Sequence, residues 1–337
     1  MKAVVVEEPK KLVIKDIPKP TFGENDILLK VKKVSLCNAT DVHIYEGTAA
    51  GYLDHYPQIL GHETFGEVDD LGKNVKNVKK GDRLVLYYLG ALCEYIVFNS
   101  KNTIFGKVPD KVSDEIAPLC EMFHGSMVQT VYPAKIKKGE KVAIIGQGPM
   151  GLTTTQLVKA YGAGTIVAID MNEFRLNMAK KLGADYIYDR SKFNAKELIE
   201  KIKKDVGEMD LSIVCVDIDL SRENDVYEFA AELLREKGRL TGLGVYVKGL
   251  NYKINPQTIY SKNLKIARSL EDVYPKKESL KKQTEVFQKA INWVAQGKIN
   301  FKDMVSKILP MEKVEEGLFL CKNSPDKVIK VVISIEA

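Results

Sequence analysis

The chain has few residues able to bind a transition metal or move protons near neutral pH, because it contains only four histidines and five cysteines. Two short segments bring several of these together with acidic residues: one holds Cys37 and His43, and the other holds His62 and Glu63. A catalytic zinc takes about three protein ligands from Cys, His and carboxylate, and leaves the fourth position to water or substrate. Cys37 and His62, with Glu63 or Glu121, would meet that requirement.

A glycine-rich turn predicts a second site, for a dinucleotide. The turn fits G-x-G-x-x-G and lies directly after a strand-like apolar run and at the start of a helical pattern. The first glycine permits a tight turn, the second lets the backbone approach a pyrophosphate, and the third lets helix and strand pack closely. The helix N-terminus adds free N–H groups and positive potential. The loop residues expected at the cofactor are Gly146, Gly148, Pro149, Met150 and Gly151.

An acidic residue supports the dinucleotide interpretation. Asp170 ends the next strand-like run, 170 − 146 = 24 positions after Gly146, where a carboxylate can accept the ribose hydroxyls. Because a carboxylate there would repel a 2′-phosphate, we predict NAD rather than NADP. Arg175 is a nearby cation and a further cofactor-binding candidate that would soften this preference; its alternative explanation is a charge on the helix surface.

Two kinds of fold must position these residues. The first 120 residues show short strand patterns separated by turns, typical of a barrel-like or sandwich β unit, at 2–7, 27–35, 66–71, 83–88 and 94–98. From about residue 139, strand and helix patterns alternate, which predicts a doubly wound parallel sheet covered by helices. The predicted strands there are 141–145, 165–169, 184–188, 211–216 and 239–243, and the predicted helices include 175–182, 195–205 and 225–237.

The tail resembles the first section more than the middle one, with helical patterns at 280–296 and 314–322 and strand patterns at 305–309 and 327–335. We therefore expect the middle to be inserted into a domain built from both chain ends. The predicted division is a β-rich catalytic domain, 1–122 and 269–337, and a nucleotide-binding domain, 123–268.

Length and composition set the remaining bounds. A chain of 337 residues exceeds the roughly 250–300 at which one core stops growing, so two domains are expected. With 45% hydrophobic and 28% charged residues, it is an ordinary globular protein and not a fibrous or low-complexity one. The net charge of +6 is scattered, so neither nucleic acid nor a lipid surface is expected as a partner. No secretory signal or membrane span is evident, and too few cysteines are present for a disulfide framework, which predicts a cytoplasmic protein.

The segments Leu36–His43 and Leu60–Glu63, with 81–83, the glycine loop and Asp170, together resemble the medium-chain, zinc-dependent alcohol dehydrogenases. The likeness is greatest to the branch of polyol, sorbitol and threonine dehydrogenases. It runs along essentially the whole chain, including the ending at 307–313 and 328–333. The resemblance implies an α/β fold with a GroES-like β-rich catalytic domain and a Rossmann domain that binds NAD. It also implies a homo-dimer or homo-tetramer.

The resemblance also assigns roles. It places zinc ligands at Cys37 and His62, with Glu63 as a ligand or a close neighbour of the metal, acting in catalysis. Glu121 falls where the polyol branch carries a glutamate near the metal; Cys120, one position away, is the alternative. Thr40 and His43 would form the proton relay, and Asp41 would orient His62.

Two departures from the family pattern stand out. Both Asn38 and Ala39 intervene between Cys37 and Thr40, where the family usually has one residue. Between Arg83 and Glu94 there is no lobe with four closely spaced cysteines, so the family's structural zinc is not expected. We therefore predict one catalytic zinc per chain.

The expected reaction is hydride transfer between a secondary alcohol and NAD, the substrate being a small alcohol or ketone such as a polyol, a cyclitol or a sugar derivative. One alternative is a zinc-free quinone or enoyl reductase of the same superfamily, which would need neither Cys37 nor the Gly-His-Glu motif. Another is a non-catalytic protein that retains the fold.

Overall fold

The computed structural model describes residues 1–49, 53, 55–216, 225–243, 254–267 and 276–335. The described N-terminal residues are rich in short strands and include the α-helix α1 (Thr40–Glu46) and a 3-10 helix at Ala117–Glu121. Its strands are β1 (Lys2–Glu8), β2 (Lys11–Asp16), β3 (Asp26–Ser35), β4 (Gln58–Ile59), β5 (Glu63–Leu71), β6 (Arg83–Tyr87), β7 (Tyr95–Asn99) and β8 (Phe105–Lys107).

The middle of the chain alternates strands and helices after a π-helix at His124–Val131. The strands are β9 (Lys141–Ile145), β10 (Thr165–Asp170), β11 (Tyr186–Asp189), β12 (Met209–Val214), β13 (Leu234–Gly242) and β14 (Lys265–Ile266). The helices are α2 (Pro149–Ala160), α3 (Glu173–Leu182), α4 (Ala195–Asp205), α5 (Val226–Glu232) and α6 (Pro256–Ser261), with a 3-10 turn at Arg190–Lys192. The strands pair in parallel in the order β11-β10-β9-β12-β13-β14. The order reverses at β9, as in doubly wound folds.

The C-terminal part returns to the β-rich unit. It contains α7 (Lys276–Ala295), β15 (Val305–Pro310), α8 (Val314–Asn323) and β16 (Lys330–Ser334), with 3-10 turns at Lys302–Met304 and Met311–Lys313. Strand β16 lies antiparallel to β3 and parallel to β15. This gives a seven-stranded sheet, β15-β16-β3-β5-β6-β8 with β7 also on β3, beside a three-stranded sheet, β2-β1-β4.

The chain divides into two compact units, Met1–Phe123 with Leu280–Ala337, and His124–Ser279. The sequence-based division put these boundaries at 122/123 and at 268/269, and the second of those positions lies outside the described residues. Each unit has its own apolar core, built in the first from inward faces of strands such as β1 and β3, and in the second from β9, β10 and α5. The predicted fold class, a GroES-like β-rich unit and a doubly wound parallel unit, is confirmed.

One predicted helix is wrong in its extent. The pattern at 225–237 predicted helix throughout, but α5 ends at Glu232 and β13 starts at Leu234. Leu234 is buried and pairs with Met209 of β12, and Lys237 adopts φ = +61°, which a helix cannot include. Strand pairing therefore outweighs the helical periodicity.

Strand β2 was not predicted, because most of its residues are exposed and give little alternation of apolar and polar residues. No described helix has the length and apolar character that crossing a membrane requires.

Candidate active site

Three predicted ligands converge at one end of the seven-stranded sheet. One donor atom from each of Cys37, His62 and Glu63 lies within 4.8 Å of the others. The pairing of β3 with β5 produces this arrangement, because Ser35 lies opposite Glu63 in the register. Cys37 follows the end of β3, and His62 and Glu63 lie at the start of β5. A mixed S, N, O donor set at this spacing matches what Zn²⁺ takes in catalytic sites.

Asp41 joins the two segments that carry these ligands. Its Oδ2 accepts a hydrogen bond from the Cys37 N–H at 2.8 Å, and its Oδ1 accepts one from the Gly61 N–H at 3.2 Å. The same Oδ1 lies 3.5 Å from His62 Nδ1, an ion-pair contact that is too long for a hydrogen bond. Burial would raise the pKa of Asp41, but His62 and the Cys37 N–H lower it. Asp41 is thus a fully buried carboxylate facing His62.

Lys330 is a site residue that the sequence analysis did not single out. It is buried in β16, and its Nζ lies 2.7 Å from Glu63 Oε1 and donates to the Leu36 carbonyl at 2.5 Å. Its side chain is 1% exposed and that of Glu63 is 3% exposed. A lone lysine inside the apolar run of 328–333 was the available signal, since lysine is almost never fully buried unless it is paired.

The buried carboxylates around the ligands outnumber the buried lysines. Asp41, Glu63 and Glu121 are buried carboxylates, whereas Lys330 is the one lysine placed among them in the described part of the chain. Glu63 Oε2 is buried with no hydrogen-bond partner among the described residues, although Oε1 is held by Lys330. A carboxylate oxygen left in this way beside a thiol and an imidazole fits a metal ligand. The residues present therefore fit a zinc ion.

Glu121 and Cys120 lie in the 3-10 helix at Ala117–Glu121, and they face different neighbours. Burial raises the pKa of Glu121 to about 8, with Glu63 adding to the rise and His62 opposing it. Burial also raises the pKa of the Cys120 thiol, and the charge that acts on it is that of Arg83. Glu121 is therefore the member of the pair beside the ligands, although its oxygens are not part of the 4.8 Å group.

The expected proton relay lies on α1, which begins at Thr40. His43 is one turn later, so both side chains project from the same side of the helix. His43 Nδ1 lies 2.8 Å from Thr48 Oγ1. Of the two residues between Cys37 and Thr40, Asn38 donates from Nδ2 to the Ile329 carbonyl at 3.2 Å. The insertion is thus anchored to the C-terminal part of the same unit.

The remaining cysteines are buried and free. Cys93 is 2% exposed, and its thiol contacts the carbonyls of Gly90 and Tyr95 in the short connection between β6 and β7. Cys215 and Cys321 are 8% and 4% exposed, so both belong to the core, as expected. Among the described residues, the group around Cys37 is the one set that could hold a metal ion.

The glycine loop connects β9 to α2. Gly146 has φ = +91°, and a Cβ there would lie 2.7 Å from the Cys215 carbonyl oxygen. A Cβ on Gly151 would lie 1.9 Å from the Gly146 carbonyl oxygen, so only glycine permits this approach of helix and loop. At Gly148, the N-cap of α2, a Cβ would meet one described atom within 4 Å, Arg175 Nη1 at 3.8 Å. Pro149 starts α2. The space over the second glycine is therefore open, as a pyrophosphate requires.

Asp170 lies at the end of β10, as predicted, next to this loop. Its Oδ2 accepts the Gln147 N–H at 2.5 Å, and its Oδ1 accepts the N–H groups of Met171 and Asn172 at 2.8 and 2.9 Å. Arg175 is half-buried beside the loop, and its Nε has no hydrogen-bond partner among the described residues. The structure thus brings Asp170 and Arg175 to the glycine loop.

Comparison with known proteins follows the same division of the chain. Residues 23–132 match the model of the alcohol dehydrogenase GroES-like domain, and residues 149–295 match that of the zinc-binding dehydrogenases. An L-threonine 3-dehydrogenase of Francisella philomiragia is 31% identical over 72% of this chain and 77% of that protein. This chain belongs to the zinc-dependent medium-chain alcohol dehydrogenase family. A sorbitol dehydrogenase of Bacillus subtilis (strain 168) is 26% identical to this dehydrogenase over 99% of the chain and 97% of that protein.

Solved structures show the same fold. An alcohol dehydrogenase from E. coli CFT073, solved with the cofactor NADH, superposes with a TM-score of 0.84 at 24% identity, covering 99% of each chain. The 2R,3R-butanediol dehydrogenase of Bacillus subtilis gives a TM-score of 0.81 at 23% identity, also covering 99% of each.

Removal of the buried lysine tests the ion pair. In Lys330→Met, the buried carboxylate of Glu63 loses its hydrogen-bonded cation, so we expect the metal-free dehydrogenase to lose about 3–5 kcal/mol of unfolding free energy. Lys33 of β3 is the matched control, because its Nζ donates to Ser334 Oγ on β16 at 2.7 Å but it is only half-buried. Lys33→Met should cost about 1 kcal/mol. Equal losses in urea-induced unfolding of the two variants would contradict the assigned role of Lys330.

Zinc binding should release protons. Burial lowers the pKa of His62, but Asp41 raises it by more, so this pKa lies well above 6.5. The pKa of Glu121 is raised to about 8. Both groups are therefore protonated in the metal-free protein at pH 7, and a zinc ligand must be deprotonated. The Cys37 thiol must also lose its proton to bind zinc, so we expect roughly one to three protons released per zinc at pH 7, with apparent zinc affinity increasing as the pH rises.

Calorimetric titration with zinc in two buffers of different ionisation enthalpy measures this release. The variant His55→Asn, altered at an exposed position, should release the same number of protons as the parent. Zinc binding with no proton release at pH 7 would show that the buried site is already deprotonated.

Proposed function

We propose that this dehydrogenase oxidises a secondary alcohol of the polyol, cyclitol or sugar class to the ketone, with NAD as hydride acceptor. The observation that carries the proposal is the convergence of Cys37, His62 and Glu63 in the β-rich unit of a chain whose other unit presents an open glycine loop beside Asp170. The reverse reaction, reduction of the ketone, uses the same groups.

Cys37, His62 and Glu63 would hold one zinc per chain, with Glu121 beside them to complete or adjust the ligand set. Bound there, zinc supplies a Lewis acid that lowers the pKa of an alcohol hydroxyl. Lys330 fixes one oxygen of Glu63 and leaves the other without a partner. Asp41 holds the segments that carry Cys37 and His62 together.

Thr40 and His43 would move the hydroxyl proton. Oxidation takes a hydride from the carbon and a proton from the oxygen of the same alcohol. In the proposed path the Thr40 hydroxyl accepts the proton and passes its own toward His43. His43 Nδ1 lies 2.8 Å from Thr48 Oγ1, so Thr48 would help to orient the imidazole ring.

Two features support NAD. The dinucleotide pyrophosphate would lie over Gly148 at the N-terminus of α2, with Pro149, Met150 and Gly151 in the first turn. The Asp170 carboxylate would accept a ribose hydroxyl and repel a 2′-phosphate. Arg175 stands 3.8 Å from the Cβ position of Gly148, close enough to the loop to pair with a phosphate oxygen.

The substrate class is supported by the curated relatives. Sorbitol is a polyol, and the matched enzyme of Francisella philomiragia acts on carbon 3 of L-threonine, which bears a hydroxyl. The zinc-free quinone or enoyl reductase is the second candidate, but it gives no reason for a thiol, an imidazole and a carboxylate to converge beside a buried lysine. A non-catalytic protein would likewise have no need of them.

We also propose a homo-oligomer in the cytoplasm. Tyr260 of α6 and Ile266 of β14, at the edge of the described sheet, are 82% and 51% exposed, and a second copy would cover such apolar side chains. Five free cysteines, four of them buried, match a reducing compartment.

Metal removal combined with a substrate panel tests the proposal. Polyols, cyclitols, hydroxy acids, threonine and simple alcohols are assayed by NADH absorbance, before and after zinc is removed with a chelator. We expect the highest rates with a polyol or sugar alcohol, loss of more than about 100-fold in kcat without zinc, and recovery when zinc is returned. Full activity of the zinc-free protein, or reduction of quinones and enoyl thioesters in place of alcohol oxidation, would favour the second candidate.

A further inference from the structure

Helix α2 buries four consecutive polar side chains, residues 153–156, each at most 4% exposed. A buried hydroxyl or amide costs free energy unless it is hydrogen-bonded. Thr153 Oγ1 donates to the Pro149 carbonyl one turn earlier in the helix, at 2.8 Å. Thr154 Oγ1 donates to Ser126 Oγ at 3.3 Å. The hydroxyls of Thr153 and Thr154 therefore have hydrogen-bond partners other than Gln147, the residue between the first two glycines of the loop.

Thr155 differs, because its hydroxyl reaches back into the loop. Thr155 Oγ1 donates to Gln147 Oε1 at 3.0 Å, and Gln147 Nε2 donates to the Ile144 carbonyl of β9 at 3.1 Å. Gln147 is the residue between the first two glycines, and it is fully buried. Both ends of its amide are thus fixed, one by the helix that follows the loop and the other by the strand that precedes it.

The backbone of Gln147 is hydrogen-bonded to Asp170, the residue expected to bind the ribose. Its N–H donates to Asp170 Oδ2 at 2.5 Å, while the other oxygen accepts two N–H groups from the residues after β10. A carboxylate has about four lone-pair sites, so three bonds leave about one, on Oδ2, to accept a ribose hydroxyl. The direction of that remaining site depends on where Gln147 holds its N–H.

We propose that Gln147 and Thr155 are positioning residues for the cofactor. Their hydrogen bond sets the position of the loop backbone against Asp170, and in this way sets both the affinity for NAD and its preference over NADP. The inference rests on the proposed NAD-dependent function and adds two residues to it, neither of which touches the cofactor through its side chain.

Three variants test the inference: Thr155→Val removes the hydroxyl at nearly constant volume, Thr155→Ser keeps it, and Thr154→Val is the matched control in the same buried helix. NADH and NADPH affinities are measured by fluorescence titration of the zinc-loaded protein. KM for NAD and kcat are measured with the alcohol that gives the highest rate. Thermal unfolding shows that each variant is folded, and Thr155→Ala, which adds no new methyl group, replaces Thr155→Val if the latter does not fold.

A buried acceptor left without its donor should weaken cofactor binding roughly tenfold. We expect Thr155→Val to raise the NADH dissociation constant and the KM for NAD by that factor, to leave kcat within about twofold, and to narrow the ratio between NADH and NADPH affinities. Thr155→Ser should keep the NADH dissociation constant, the KM for NAD and the ratio of NADH to NADPH affinity at the values of the parent protein. Thr154→Val should not change these three quantities. A Thr155→Val protein that binds NADH and NADPH as Thr154→Val does would overturn the inference alone. A parent protein that binds neither nucleotide would overturn the proposed function and the inference together.

Discussion

The ion pair between Lys330 and Glu63 is the interaction on which the metal-binding end of the β-rich unit depends. Lys330 enters from the C-terminal strand β16, whereas Glu63 starts β5, and the lysine also binds the Leu36 carbonyl directly before Cys37. One buried cation therefore contacts both ligand-bearing segments. A buried charge is tolerated only when it is paired and hydrogen-bonded, so the return of residues 280–335 to the N-terminal unit supplies a charge that this site requires.

Lys330 alone does not neutralise the buried carboxylates of Asp41, Glu63 and Glu121. The pKa values of His62 and Glu121, beside these carboxylates, are both raised. Burial raises the pKa of Glu121 to about 8, and Asp41 raises that of His62 against the effect of burial, so both take up protons in the metal-free state. A divalent cation would replace these protons. The same account explains why Glu63 Oε2 is buried without a partner among the described residues while Oε1 is held.

The sequence predicted the site as far as its motifs are local. Cys37 and His62 could be named because residue types and short spacings suffice, and the glycine loop with Asp170 follows a fingerprint tied to one strand and one helix. Lys330 could not, because its role depends on a β16–β3 pairing about 300 residues apart in the chain. Thr155 could not be named either, because its role depends on a side-chain hydrogen bond to Gln147. The helix predicted at 225–237 failed because strand pairing at Leu234 outweighed a periodicity that was real but short.

Cobalt substitution tests the central claim, that Cys37, His62 and Glu63 form one metal site. Co²⁺ bound by one thiolate in a tetrahedral site gives intense visible bands and a sulfur-to-cobalt charge-transfer band. We expect one cobalt per chain with both features in the parent protein, and loss of the charge-transfer band in Cys37→Ser but not in Cys120→Ser. A charge-transfer band that survives in Cys37→Ser and disappears in Cys120→Ser would contradict the claim.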